Sequence, residues 1–239
     1  MAIADRLDFL HAGVKKNRWF RYFAIFNRIV LAAGFLPSGY VKIAGERFTS
    51  LSNNHPMGHY LEALHHTGYY YTFIGVVQMT AAFFLLIPRM ATLGAVLYFP
   101  LILNITILSY AVRFDGSLLT SPLMVLANLY LLCWDYDKLK FIFPWSPPTA
   151  LELEAKKSSS VSKFPARFFA GVALILIIVV TAIGNAFDIR PRNTPPECNT
   201  QCQKSPNPKA CQDFCECIHG QGQPLDKCLN AYHKALEKK

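Results

Sequence analysis

Apolar residues in this chain come in long runs, broader than the alternation of a half-buried strand or the stripe of a surface helix. The clearest is FFAGVALILIIVVTAIGNAF, residues 168–187, twenty residues without a charge. At 1.5 Å per residue such a helix is about 30 Å long, the thickness of a bilayer core. Four further runs, 22–41, 69–87, 91–112 and 118–135, are mainly apolar with scattered polar interruptions. The punctuation between them fits helices that turn back on one another. PRM at 88–90 reads as a tight hairpin, RFDGS at 113–117 as a turn, and WSPPTALELEAKKSSSVSKFPAR as a long polar linker.

The expected fold is therefore all-α, a polytopic membrane protein with a four-helix bundle over 22–143, a linker over 144–167 and a fifth transmembrane helix over 168–187. Residues 1–21 precede the bundle with a mixed pattern. Leu7, Leu10 and Val14 suit one face of a short surface helix with Lys15, Lys16, Arg18 and Arg21 near lipid phosphates, and a frayed terminus is the alternative.

Composition supports the membrane reading. Hydrophobic residues make up 52% of the 239, charged residues 16%, and the mean hydropathy is +0.23 despite a polar tail. The net charge of +9 does not point to nucleic acid, because the basic residues sit beside apolar runs, where they set topology. Lys15, Lys16, Arg18, Arg21, Arg89, Lys138, Lys140, Lys156, Lys157, Lys163 and Arg167 fall on one side. Lys42, Arg47, Arg113, Arg190 and Arg192 fall on the other. That excess predicts a cytoplasmic N-terminus, in a bacterial inner membrane, and a periplasmic tail over 188–239.

The tail holds six of the seven cysteines, in CNTQCQKSPNPKACQDFCECIHGQGQPLDKC. Clustered cysteines in a small polar segment favour disulfides and an oxidising compartment. Cys198 and Cys202 are one helical turn apart, as are Cys211 and Cys215, with KSPNP as a turn between them. Folding back two short helices pairs Cys198 with Cys215 and Cys202 with Cys211, and leaves Cys217 for Cys228. Fifteen pairings are formally possible. A zinc site recruiting His219 or His233 and an exchanging thiol pair are the functional alternatives, although the usual CxxC spacing is missing. Cys133, in LLCWDYD, reads as an ordinary small apolar residue.

Polar groups within the spans are the next candidates, since they are costly in hydrocarbon. Asn27, Gln78, Asn104 and Asn128 suit interhelical hydrogen bonds. Arg28 must snorkel to the interface, pair with an acid or bind an anionic headgroup. The loop between the first two spans carries His55, His59, His65 and His66 with Glu46 and Glu62. On a helix His59, Glu62 and His66 share a face, which suits metal binding, proton relay or contact with a quinone headgroup. No established metal-ligand motif is present. Interfacial anchoring beside the tyrosines is the plainer reading.

NRIVLAAGFLPSGYVKIAGERFTSL, followed by YTFIGVVQMTAAFFLLIPRMATLGAVLYFPLILNIT and a fourth span, resembles the DoxX-like family of small four-helix membrane proteins. The match covers about residues 20–143 and is carried by Arg28, by a Gly39-x-x-Lys42 turn ending the first span, and by LLIPRMATLGA. Gln78 stands where members often have an acid. The resemblance implies a membrane module linked to redox work, including quinone-linked sulfur oxidation and partnership with oxidoreductases. Two functions follow as expectations. The first is an accessory subunit of a larger membrane assembly, its stapled tail making contacts outside. The alternative is a quinone-linked oxidoreductase acting on thiols or sulfur compounds, with His59, His65, His66, Arg28 and Lys42 around a quinone pocket.

Overall fold

A computed structural model of the chain describes residues 11–139 and 163–237. Leu7, Leu10, Lys140, Lys156, Lys157 and most of the 144–167 linker lie outside them. All regular structure among the described residues is helical. Five segments are long and apolar enough to span a membrane: α1 (Arg18–Ile43), α3 (Tyr69–Leu86), α4 (Ala91–Ala111), the stretch Asp115–Trp134 that contains α6 (Thr120–Trp134), and α8 (Ala166–Gly184), with α2 (Pro56–His65) in the first loop. Short helices α5 (Asp115–Leu118) and α7 (Tyr136–Leu139) flank α6. The tail comprises α9 (Pro195–Cys202), α10 (Pro208–His219) and α11 (Leu225–Glu237).

Helices α1, α3, α4 and α6 form a closed ring in which each packs on the next and α6 returns to α1. Leu31, Phe35, Ala81, Leu85, Tyr98, Ile102 and Leu131 fill its centre. Close approach of α1 and α3 depends on two glycines. A Cβ on Gly75 would lie 2.7 Å from the Gly39 carbonyl oxygen, and one on Gly39 would lie 2.9 Å from that of Gly75. Small residues at such crossings let helix backbones meet where lipid offers no hydrophobic driving force.

Three boundaries differ from the sequence expectation. Gly39 and Lys42 do not form a turn, because α1 stays helical to Ile43; its glycine serves packing. Only Arg113 of RFDGS is in a turn, at φ +52°; Phe114 is the extended cap and Asp115 already starts helix. Helix α1 starts at Arg18 because the Asn17 side chain accepts from the Trp19 N–H at 2.9 Å. Residues 11–15 are helical and pack against the bundle: Val14 touches the core, and Lys15 turns inward to Asp137.

Helix α8 is held at its ends. Phe168 meets Phe20 and Phe23, Phe164 meets Trp19, and beyond its other end the Arg113 guanidinium lies 4.7 Å over the Phe187 ring. Between them Leu174 to Ile178 and Val180 are exposed apolar surface, suited to contact with lipid. The tail has its own core of Ile189, Phe214, Ile218, Tyr232 and cysteines. Thr194 before Pro195 and Asn207 before Pro208 cap α9 and α10 with their side chains, each proline sitting where no N–H is needed.

Candidate functional site

At the N-terminal end of the bundle the Arg28 guanidinium lies 3.6 Å from the Asp135 carboxylate, whose side chain is only 5% exposed. Lys15 at 3.7 Å, Lys138 at 3.2 Å and the Thr92 hydroxyl at 2.8 Å converge on the same carboxylate. Arg28 thus pairs with an acid. The carboxylate ties α1, α4 and the segment before α1 to the end of α6. Beside it, burial pushes the Asp137 carboxyl up, but the Lys15 hydrogen bond and the charges of Lys15, His11 and Lys138 outweigh it and hold the group low.

Lys42 sits near the opposite end of α1, fourteen residues on, about 21 Å at the helical rise. Its ammonium donates to the Ser38 carbonyl at 3.0 Å and to Ser38 Oγ at 2.9 Å, and Ser38 Oγ donates to Gln78 Oε1 at 3.1 Å. The Phe48 and Tyr71 rings lie 4.4 and 5.9 Å from Nζ. Tyr71 holds the loop over this site by donating to the Glu46 carbonyl and accepting from the Phe48 N–H. His65 packs edge-on against the same tyrosine at 5.2 Å. Lys42 and His65 therefore converge on Tyr71, whereas Arg28 belongs to the other end.

The remaining loop histidines divide. His66 meets Glu62 at 3.0 Å, and Glu62 is paired with Arg47 at 2.9 Å. His59 is exposed on α2. His55 lies just before α2, where its Nδ1 accepts from the Met57 N–H at 3.1 Å and caps the helix. Of the amides, Gln78 and Asn128 bond within the bundle, Asn128 to the Ala95 carbonyl at 3.1 Å. Asn27 is buried, and Asn104 is exposed on α4.

The tail is docked on the loops at the Lys42 end. Asp115 receives Arg190 at 2.7 Å and Arg192 at 3.1 Å, and Arg113 reaches Asp188 at 3.2 Å and the Ile189 carbonyl at 2.7 Å. Asn54 donates to the His219 carbonyl at 2.6 Å. His55 and His219 are both buried, ring centroids 6.0 Å apart. Burial pushes the His55 imidazole down to about 4, the His219 charge acting the same way against the Arg192 carbonyl and Asp115.

Within the tail Cys198 is bonded to Cys215, Cys202 to Cys211 and Cys217 to Cys228. Cys202, Cys211 and Cys215 are the one group of three or more potential metal ligands among the described residues. All three are in disulfides, and a metal needs the thiolate. An open groove of about 500 Å³ on the tail is lined by Phe187, Arg190, Lys204, Gln201 and Tyr232 among others.

Sequence reasoning passed over Asp135, Asp115 and the pairing of His55 with His219. The first two carried a signal: single acids at span ends in a basic chain, facing cations that need a partner. The histidine pair joins residues 164 positions apart, and nothing local announces it.

No family model matches the chain, and no solved structure matches it. Over 78 residues it is 42% identical to the "Uncharacterized protein YwoB" of Bacillus subtilis (strain 168). That stretch is 33% of this chain and 50% of the other, so the chain spans half the length of the curated relative it matches.

Proposed function

We propose that the chain is a DoxX-like accessory subunit of a larger, redox-linked membrane assembly, its N-terminus cytoplasmic and its tail on the extracytoplasmic side of a bacterial inner membrane. The observation that carries this reading is the mounting of the tail. A small module stapled by three disulfides is fixed to the bundle loops through Asp115, Arg113, Asn54 and His55, and its groove stays open. A rigid, presented surface suits contact with another protein. Arg28 is engaged in an ion pair and His66 in a hydrogen bond with Glu62 within this chain, and His55 caps α2.

A second reading, a quinone-linked oxidoreductase acting on thiols or sulfur compounds, is favoured by one observation: Lys42 and His65 meet at Tyr71 near the tail end of the bundle. A cation and an imidazole beside an aromatic ring suit a quinone headgroup.

Gentle purification from native membrane, with mass spectrometry and absorbance spectra, separates the two. Stable protein partners without bound quinone, haem or metal are expected. Bound quinone together with thiol-dependent quinone reduction by the chain alone would overturn the accessory reading.

A further inference from the structure

The two buried histidines between bundle and tail have tautomers that their neighbours set. His219 Nε2 lies 2.8 Å from the Pro191 carbonyl, which only accepts, so Nε2 carries the proton and Nδ1 is a bare lone pair. His55 Nδ1 accepts from the Met57 N–H, so its proton is on Nε2. The atoms left over, His55 Nε2 and His219 Nδ1, are buried and make no hydrogen bond of ordinary length, the Arg192 carbonyl being the acceptor that favours a proton on the His55 ring. One is a donor and the other an acceptor, on rings whose centroids are 6.0 Å apart. That complement suits a water-bridged hydrogen bond across the interface. It does not suit a bridging metal: metal on His55 Nε2 would move the proton to Nδ1, where the Met57 N–H already donates.

We propose that His55, packed against His219, forms an acid-sensitive latch that holds the tail on the bundle and releases it when the His55 imidazole is protonated. A proton taken up by His55 goes to Nδ1 and removes the cap from α2. The ion is also desolvated between the two units.

The charged groups around the pair modulate this without cancelling it. Asp115 favours the charged imidazole, but both its oxygens are held by Arg190 and Arg192. Arg113 is on Asp188 and the Ile189 carbonyl. His233 lies 3.7 Å from the same Asp188.

The direction follows from linkage. His55 is held at about 4 when docked against an ordinary value of 6.5, so the released state takes up the proton first. Docking is unaffected above pH 6.5 and weakens as the pH falls from there toward 4. Between pH 7.5 and 5 the release equilibrium rises on the order of 30-fold, while ordinary carboxylates keep their charge.

Amide hydrogen-exchange protection of residues 54–58 and 189–193 in the full chain in lipid nanodiscs, read at pH 7.5, 6 and 5, tests the latch. The expected result is a loss of protection on the order of 30-fold from pH 7.5 to 5, with protection in α4 and α10 unchanged. In His55→Asn, which keeps a capping side chain, the acid-dependent loss is much smaller. Constant protection in the wild type, or the same acid dependence in His55→Asn, would overturn the proposal. So would loss of α10 protection along with the interface, because the tail would then be unfolding and not undocking.

Discussion

Asp135 is the residue on which the N-terminal end of the bundle turns. Its buried carboxylate serves three cations and a hydroxyl, so its removal leaves Arg28 without its acid, while Lys15 keeps Asp137. Leaving a buried charge unpaired typically costs about 3–5 kcal/mol. Asp135→Ala is expected to lower stability by that order in a thermal unfolding series in detergent. Replacing Asp135 and Arg28 together by leucine and methionine is expected to recover most of the loss. Wild-type stability in Asp135→Ala would remove the carboxylate from this role. Arg28 was legible as a cation needing an answer, while Asp135, the last residue of the fourth apolar run, was given no role. An ion pair between residues 107 positions apart leaves no local trace.

At the scale of elements, helix existence was written plainly in the apolar runs, and helix ends were not. Five spans follow from length and apolarity alone. The start of α1 depends on the Asn17 cap, and its continuation through Gly39 depends on α3 lying close enough to need a glycine. That contact makes a sharp prediction. Gly75→Val pushes a side chain into the Gly39 backbone, which cannot rotate away, and is expected to destabilise the bundle by roughly 1–3 kcal/mol. A purified Gly75→Val protein with unchanged unfolding would contradict the crossing. In the tail, the paired CxxxC spacing and the KSPNP turn between the pairs made the hairpin and its cysteine pairs readable from sequence. Removing one staple by Cys202→Ser with Cys211→Ser is expected to cost the tail about 2–4 kcal/mol. Faster limited proteolysis of residues 195–237, with the bundle untouched, reports that loss, and an unchanged rate would contradict it.

For the whole molecule, the pattern of apolar runs gave a bundle and a separate tail but not their docking. Asp115 with Arg190 and Arg192, and His55 with His219, are long-range complements that appear only once α4, α5 and the first loop share one end. Docking also changes what the polar groups mean. Loop histidines that suggested a metal or a quinone separate into a helix cap facing the tail, a hydrogen bond with Glu62 and a ring beside Tyr71. Five spans require the N-terminus and the tail to lie on opposite sides of the bilayer, and the basic flanks make the tail side extracytoplasmic on the proposed topology. The measurement that bears most directly on this is labelling with a membrane-impermeant maleimide, from outside intact cells, before and after a thiol reductant. The account predicts that the six tail cysteines react only after reduction and that Cys133 does not react. Labelling of the tail without reductant, or its absence after reduction while inverted vesicles label, would contradict it.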